Sequence, residues 1–435
     1  MPAFLHHADA DFDAEFAALA DAKRDSDAGV DGAVAEIVAA VRARGADELV
    51  ALTRRFDRWD ATADTLALDA DAIAAAEAEV PADQRAALAL AAERIAAYHA
   101  RQRPVDADWT DDTGIRLGWR WSAVRAAGLY VPGGTAAYPS SVLMNAIPAT
   151  VAGVERLVMC TPTPDGQVNP LVLAAARLAG VDTVWRIGGA QAIAAMAYGA
   201  APIDPVDVIV GPGNAYVAAA KRQVFGHVGI DSVAGPSEVL VIADADNDPD
   251  WVAIDLLAQA EHDVSAQAIC ITDDRAFGQQ VARAVERRLQ RLTRAEIAGE
   301  SWRRHGGVVV ARDLDHAAAL ADRVAPEHLE IATADPDAVA ARVRNAGAIF
   351  LGRHTPEAVG DYIGGPNHVL PTAGAARFAS GLSVLAFMKR TTLTMASAEG
   401  LAAIGPAAAT LADAEGLEAH AASVRARLSL GGGER

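Results

Sequence analysis

The chain has 435 residues, more than one hydrophobic core usually supports, so at least two domains are expected. Hydrophobic residues make up 52% of the chain and charged residues 22%, which is typical of globular proteins and excludes a disordered chain. The 57 acidic residues outnumber the 38 basic ones, and the net charge of −19 would repel nucleic-acid phosphates, so we expect no nucleic-acid partner.

The N-terminal quarter of the chain is predicted to be mostly helical. From Asp9 to about Arg103, alanine-rich segments carry charges at helical spacing. Residues 115–124 then alternate apolar and polar side chains with a period of two, which predicts a strand. No basic segment followed by an apolar run is found at the N-terminus, so we predict no signal peptide and a cytoplasmic protein.

After Gly128 the pattern changes to short apolar runs, each followed by an amphipathic segment of helical length. Such alternation predicts βαβ units with parallel sheets. Pro132, Pro139 and Pro148 interrupt the uncharged stretch 126–154, so we predict no membrane span there. The predicted strands are Leu129–Val131, Leu157–Met159, Val181–Trp185, Val206–Val210, Glu238–Ile242, Gln267–Ile271, Gly307–Val310 and Ala348–Leu351.

The predicted fold class is α/β, with two doubly wound domains in tandem and helical tails at both ends. The last fifty residues lose the strand pattern and are predicted to be helical from about Leu393. We expect this tail to make oligomer contacts. The expected division is 1–26 for the N-terminal helical tail, 27–128 with 239–382 for the first α/β domain, 129–238 for the second, and 383–435 for the C-terminal helical dimerisation tail.

Four loops combine glycine with a side chain that can form hydrogen bonds. Ligands of open α/β sheets bind outside the carboxyl ends of strands, so these loops are the first candidates for a binding site. For any one loop alone a tight turn is the better explanation, and none is a GxGxxG or GxxxxGK[ST] motif. Together they favour nucleotide binding. The loops are Tyr130–Thr135, Ile187–Gln191, Val210–Asn214 and Ala234–Glu238.

A second set of residues has the chemistry of metal ligands. Gln259 and His262 are three residues apart on a predicted helix and share one face. Asp361 lies in a glycine-rich loop, and His420 lies on the predicted C-terminal helix. These nitrogen and oxygen donors suit zinc or a similar divalent ion, although their spacing does not show that they converge.

Glu327 and His328 place a carboxylate beside an imidazole, just before the apolar residues Leu329 and Ile331. Such a pair can act as a general base and proton shuttle. A surface pair at the edge of a strand is an equally good interpretation of the local sequence.

Seven motifs, in order along the chain, resemble those of the histidinol dehydrogenase family, and the resemblance extends from the N-terminal helices to about Arg425. In one-letter code the motifs begin GLYVPGG at Gly128, GGAQAIA at Gly188, VGPGNAYVAAAKRQV at Val210, AGPSEVLVIAD at Ala234, AQAEH at Ala258, APEHLE at Ala325 and NHVLPT at Asn367.

The resemblance implies a zinc-dependent enzyme that oxidises L-histidinol through L-histidinal to L-histidine with two NAD, the last step of histidine biosynthesis. It also implies a homodimer with intertwined tails, in which each subunit has two incomplete Rossmann-like domains. By motif matching, one zinc ion per subunit would be held by Gln259, His262, Asp361 and His420, the substrate site would be completed by Ser237, His328 and Glu415, and NAD would be contacted by Tyr130, Gln191 and Asn214.

The implied chemistry gives each residue a role. Zinc would orient the amino group and imidazole of histidinol, His328 would take the hydroxyl proton, and Glu327 would activate the water that adds to the aldehyde. Because His420 and Glu415 lie in the tail, we expect the tail to reach the active site of the partner subunit.

Two other functions stay open from the sequence. A family paralogue that oxidises another alcohol, such as a sulfonated diol, would use the same framework, although a sulfonate favours an added Arg or Lys that these positions lack. A binding protein that has lost its activity would be expected to lack the pair Glu327 and His328, which this sequence retains.

Overall fold

The computed structural model describes residues 2–21, 28–68, 70–133, 138–233 and 235–429. Gly134 and Thr135 of the first predicted loop, Ala234 of the fourth, and parts of both predicted tails lie outside the described residues. The strands are β1 (Ala3–His6), β2 (Ala67–Leu68), β3 (Ala107–Thr110), β4 (Ile115–Ala123), β5 (Ala126–Tyr130), β6 (Arg156–Cys160), β7 (Thr183–Trp185), β8 (Val208–Val210), β9 (Gly229–Ile230), β10 (Glu238–Ala243), β11 (Gln267–Thr272), β12 (Gly307–Val310), β13 (His328–Ala332), β14 (Ala348–Leu351) and β15 (Met388–Ala396).

The α-helices lie mainly between the strands and after the last one. They are α1 (Phe12–Asp21), α2 (Ala28–Arg44), α3 (Ala46–Asp57), α4 (Ala70–Glu79), α5 (Ala82–Ala100), α6 (Pro139–Ala152), α7 (Pro170–Leu178), α8 (Gly189–Tyr198), α9 (Ala215–Val224), α10 (Pro249–Ala260), α11 (Arg275–Leu289), α12 (Ala295–His305), α13 (Leu314–Val324), α14 (Pro336–Ala340), α15 (Glu357–Tyr362), α16 (Ala398–Ala414) and α17 (Glu418–Ser429). Among the described residues, no helix is both long and apolar enough to cross a membrane.

The chain divides into two compact units, of which the first consists of Met1–Gln102 and Arg125–Phe387 and contains two six-stranded sheets. One sheet has the order β1-β12-β11-β10-β13-β14 with all pairs parallel. Helices cover both of its faces, so β10, β11 and β13 are buried along their whole length. The apolar runs Glu238–Ala243 and Gln267–Thr272 therefore form strands in the centre of the sheet.

The other sheet of this unit has the order β2-β7-β6-β5-β8-β9. Its pairs are parallel except for β2, which runs antiparallel to β7 at one edge. A core of mostly alanine, valine and isoleucine side chains from α8 and α9 packs against β5 and β8. The α/β fold class predicted from the sequence is thus confirmed.

The N-terminal segments differ from the sequence expectation in two ways. The tail predicted to be helical begins with β1, which pairs with β12 and makes the N-terminus part of the first sheet. Residues 28–68 were expected to belong to the same domain as 239–382. Instead, α2 and α3 pack in the core of the second sheet, and β2 pairs with β7. Helix periodicity shows which face is apolar but not which sheet that face covers. Whether the predicted domains fold as separate units stays a prediction.

The second unit consists of Arg103–Val124 and Met388–Arg435. In it, β3, β4 and β15 form an antiparallel sheet in which β4 pairs with both neighbours, and α16 and α17 follow. The predicted strand at 115–124 is confirmed, but the helix expected from about Leu393 is wrong there, because Leu393 lies in β15 opposite Gly118. The threonine-rich segment 391–394 has β-branched side chains that favour a strand, and the helix begins only at Ala398.

Candidate active site

The imidazole of His328 is buried at the first position of β13, and it is 4% exposed. Its Nδ1 lies 3.0 Å from the backbone oxygen of Glu238, which faces it from the neighbouring strand β10. Because a carbonyl oxygen only accepts hydrogen bonds, Nδ1 must carry the proton. The neutral ring therefore presents Nε2 as an unprotonated nitrogen.

Burial lowers the pKa of His328 to about 3, with smaller contributions from the nearby imidazoles of His368 and His262, although the hydrogen bond to the Glu238 backbone opposes the shift. The ring is thus neutral at physiological pH. Its Nε2 has no hydrogen-bond partner among the described residues and lies 3.7 Å from Asp361 Oδ1. A buried imidazole nitrogen with an unused lone pair is suited to take a proton from a bound substrate or to bind a metal ion.

Glu327 is also buried, and two reciprocal hydrogen bonds hold it against Glu238. The backbone N–H of Glu238 donates to Glu327 Oε2 at 2.9 Å, and the N–H of Glu327 donates to Glu238 Oε2 at 3.4 Å. Glu327 Oε2 lies 3.7 Å from His328 Nδ1. Since β13 lies between β10 and β14, the interpretation of Glu327 and His328 as a surface pair at a sheet edge is wrong.

Helix α15 brings two further carboxyl groups to the imidazole. Glu357 Oε1 lies 3.6 Å from His328 Nδ1, and Asp361 is one turn further along the same helix. One ligand atom each from His328, Glu357 and Asp361 lie within 4.8 Å of one another, a group that could hold a metal ion. Burial raises the pKa of Asp361 to about 6, and burial with the nearby Asp361 carboxylate raises that of Glu357 well above its ordinary value.

Such raised pKa values are expected where acids gather without a cation. Glu357 Oε2 is buried and has no hydrogen-bond partner among the described residues. A divalent ion would neutralise this concentration of negative charge and would favour the ionised carboxylates. The donor chemistry of the cluster therefore fits a bound metal ion.

Gln259 lies in the last turn of α10, which packs against α15, and His262 follows two residues after the end of that helix. The side chain of Gln259 is buried, and its Nε2 has no hydrogen-bond partner among the described residues. Although His262 is exposed at the surface, desolvation by its neighbours lowers its pKa, which favours the neutral imidazole that metal binding requires. The structure thus brings Gln259 and His262 to the helix that carries Asp361, as expected if these three residues share a ligand.

His368 is a further imidazole of this region and is partly buried, and the site residues predicted from the sequence do not include it. Its Nδ1 donates to the backbone oxygen of Asp361 at 2.9 Å, and its Nε2 lies 3.4 Å from Ser141 Oγ on α6. The preceding Asn367 donates from Nδ2 to the carbonyl of Met144 on the same helix at 2.6 Å. These bonds fix the backbone at Asp361.

A pair of buried acids beneath the site was also missed. The carboxyl groups of Asp255 on α10 and Glu330 on β13 are hydrogen bonded to each other, and Glu330 Oε1 accepts from the backbone N–H of Glu357 at 2.6 Å. Burial raises the pKa of Asp255 to about 6 and that of Glu330 well above its ordinary value. The pair therefore retains a proton between its two carboxyl groups.

The remaining predicted residues lie in three places. Ser237 immediately precedes β10, and its carbonyl accepts from Gln267 N–H. Glu415 and His420 belong to the second unit, where both are exposed to solvent. The cluster around His328 lies at the amino ends of β10 and β13, whereas the sequence favours the loops after the carboxyl ends of strands as the first candidates for a binding site. The fourth glycine loop lies between β9 and β10 in the chain and ends at the first residue of β10.

The other three glycine loops follow β5, β7 and β8, and their described residues meet at the carboxyl ends of these strands. Tyr130 ends β5, and its buried hydroxyl accepts a 3.0 Å hydrogen bond from the N–H of Gly189, at the start of α8. Gln191 is buried two residues further along α8. Asn214 caps α9 by accepting from the N–H groups of Tyr216 and Val217. The structure thus places Tyr130 and Gln191 beside the backbone of Gly189. Asn214 follows the neighbouring strand β8.

Fold and site together define an α/β protein with a histidine and carboxylate centre at the end of one parallel sheet and glycine loops at the end of another. Residues 20–428 match the family model described as histidinol dehydrogenase, and the chain belongs to that family of oxidoreductases.

The relatives cover nearly the whole chain. Histidinol dehydrogenase of Ruegeria pomeroyi is 66% identical over 98% of this chain and 99% of its own length. That of Cereibacter sphaeroides is 64% identical with the same coverage. A crystal structure of histidinol dehydrogenase from Elizabethkingia anophelis superimposes with a TM-score of 0.93 at 35% identity and covers 98% of both chains.

The raised pKa of Asp255 can be tested by substitution of this residue. A carboxyl group whose pKa is higher in the folded state destabilises the fold at pH values above that pKa, and the cost disappears as the pH falls toward the unfolded value. Asp255→Asn should therefore raise the free energy of unfolding of metal-stripped protein at pH 8 by about 1 to 3 kcal/mol, and by about half as much at pH 5.

Denaturant midpoints at the two pH values provide the measurement. Glu286→Gln, which changes an exposed carboxyl group on α11 in the same way, should have no such effect. Equal stabilisation by Asp255→Asn at both pH values would contradict the raised pKa.

Proposed function

We propose that the protein oxidises L-histidinol through L-histidinal to L-histidine in two successive steps, each reducing one NAD, as the last reaction of histidine biosynthesis in the cytoplasm. Membership of the family supports the substrate and pathway. The observation that supports the chemistry is the buried neutral His328, whose Nε2 is unprotonated and lies among carboxyl groups. An alcohol oxidation needs such a base, because the hydroxyl proton must leave as hydride is transferred.

A zinc ion would be held by Gln259, His262 and Asp361 of one subunit and by His420 of the partner subunit. Zinc bound there would supply orientation of the amino group and imidazole of the substrate. The buried Gln259 amide, the neutral His262 and the convergence of α10 with α15 support the first three ligands. Glu357 is a further candidate ligand, because its carboxylate lies beside that of Asp361.

In the first oxidation, His328 Nε2 takes the proton of the substrate hydroxyl. The resulting imidazolium is stabilised by the carboxyl groups of Glu327 and Glu357, which lie 3.7 and 3.6 Å from Nδ1. The hydrogen bond from Nδ1 to the Glu238 carbonyl keeps the ring in one orientation throughout. His328 then releases this proton, so that its imidazole is neutral again before the second oxidation begins.

In the second oxidation, Glu327 acts as the base for the water that adds to the aldehyde. The N–H of Glu238 orients its Oε2, and the buried position keeps bulk water away from the reacting carbon. Retaining the aldehyde between the two steps also prevents a reactive intermediate from escaping.

NAD, which accepts the hydride, would bind at the loops of Tyr130, Gln191 and Asn214. The cap on α9 uses Asn214 Oδ1, so its Nδ2 is the atom that can donate to the dinucleotide. Glycines at this end of the sheet allow the backbone to approach a phosphate group. Ser237 and Glu415 would complete the contacts to histidinol, with Glu415 coming from the tail of the partner subunit in a homodimer.

A second candidate is the oxidation of another alcohol, such as a sulfonated diol, on the same framework. The exposed carboxylate at position 415 favours a cationic substrate over an anionic sulfonate. A panel of amino and sulfonated alcohols, assayed by NADH formation, distinguishes the two candidates.

The roles of His328 and His262 can be separated by substitution. His328→Asn removes the base but none of the four proposed zinc ligands, so turnover should fall by about 10²- to 10⁴-fold while zinc content is retained. His262→Asn should lose zinc as well as activity. The exposed His354 provides the matched control, and His354→Asn should behave as the unaltered protein. Loss of zinc from the His328→Asn variant would instead assign the metal to His328, Glu357 and Asp361.

Removal and restoration of the metal tests the full reaction. Protein treated with a chelator should lose histidinol-dependent NADH formation and regain it when zinc is returned. The restored enzyme should form two NADH for each histidine, because both oxidations occur before release. One NADH per molecule of histidinol consumed, with histidinal as the product, would contradict the four-electron reaction.

A further inference from the structure

A buried ion pair forms hydrogen bonds with the loop that follows β8. Lys221 and Asp231 form a salt bridge in which their side chains are 2% and 4% exposed. The same two side chains form hydrogen bonds with the backbone C=O and N–H groups of Gly211. Lys221 Nζ donates to the Gly211 carbonyl at 3.0 Å, and Gly211 N–H donates to Asp231 Oδ2 at 2.8 Å.

Three elements around β8 bring this pair together. Gly211 is the first residue after β8, Lys221 lies on the helix α9 that follows, and Asp231 comes directly after the neighbouring strand β9. The side chain of a helical residue leans toward the N-terminus of its helix, so Lys221 points back to the start of the loop. Asp231 N–H donates to the Ile209 carbonyl, which continues the pairing of β9 with β8 up to this point.

Gly211 needs this support because its backbone is unusual. Its φ of +116° lies in a region that side chains rarely adopt, and a Cβ atom there would collide with the carbonyl oxygen of Tyr130. The loop therefore passes directly against the end of β5. From Gly211 only two residues remain before Asn214, the cap of α9.

We propose that the Lys221–Asp231 pair is a positioning device for dinucleotide binding, which holds the loop 211–214 at a fixed distance from Tyr130. The proposal rests on the proposed use of NAD. Lys221 is too deeply buried to contact the dinucleotide, so it acts through the loop. Stability alone does not account for the pair, because apolar side chains often replace a buried ion pair without loss of stability.

Two double variants separate positioning from stability. Lys221→Met with Asp231→Leu removes both charges and both bonds to Gly211. Lys221→Met with Asp231→Asn also removes both charges but keeps an acceptor for the Gly211 N–H. Neither leaves an unpaired buried charge. Arg222→Met is the control, since Arg222 is the next residue on α9 and pairs on the surface with Asp31.

The metal-loaded enzyme is assayed for KM and kcat, NAD binding is measured by calorimetry, and hydrogen exchange is followed in the loop 211–214. For the Met/Leu variant we expect the NAD dissociation constant and the KM for NAD to rise about 10- to 100-fold, with faster exchange in the loop. The KM for histidinol, the zinc content and the melting temperature should change little. The Met/Asn variant should lie between Met/Leu and the unaltered protein, and Arg222→Met should match the latter.

Three results would overturn the proposal. Unchanged exchange in the Met/Leu loop would show that the pair does not hold it. Faster exchange with unchanged NAD binding would show that the loop position does not matter for the dinucleotide. Failure of the unaltered protein to bind NAD would refute the proposed function itself, and with it the role assigned to the pair, even if the loop exchanged faster.

Discussion

The exclusion of water from His328 is the constraint on which the active site depends. Burial keeps the imidazole neutral, and the carbonyl of Glu238 determines that Nδ1 carries the proton. A solvent-exposed imidazole would titrate near neutral pH and rotate among water partners. The parallel pairing of β10 with β13 supplies this carbonyl, because Val239 lies opposite His328 and Glu238 precedes it. The sheet thus fixes the protonated nitrogen of the base.

The two sheets of the first unit contribute different chemistry. The amino ends of β10 and β13 carry the imidazole and carboxyl groups, whereas the carboxyl ends of β5, β7 and β8 carry the glycine loops. Helix α6 links the two regions, since it begins beyond the loop after β5 and its Ser141 contacts His368. Hydrogen bonds to this helix therefore connect the position of Asp361 to the sheet that carries the proposed dinucleotide loops.

The sequence identifies site residues that lie near one another along the chain, such as Glu327 beside His328 or Gln259 three residues before His262. It does not identify Glu357, Glu330 or Asp255, because an isolated acid on a helix or strand resembles a solvated one until the fold buries it. The strands β10 and β11 were predicted because central parallel strands are apolar throughout. The exposed strand β15 was missed because its apolar residues are followed by an alanine-rich helix, and no local signal reveals its pairing with β4.

Nitrogen NMR of the His328 ring tests the central claim most directly. Long-range proton–nitrogen correlation spectra of the zinc-loaded protein, assigned by comparison with His328→Asn, report which ring nitrogen carries the proton. We predict a neutral ring protonated at Nδ1 from pH 5 to pH 8, with no titration in that range. A ring protonated at Nε2, or one that titrates near its ordinary pKa, would contradict the account of His328 as a buried base.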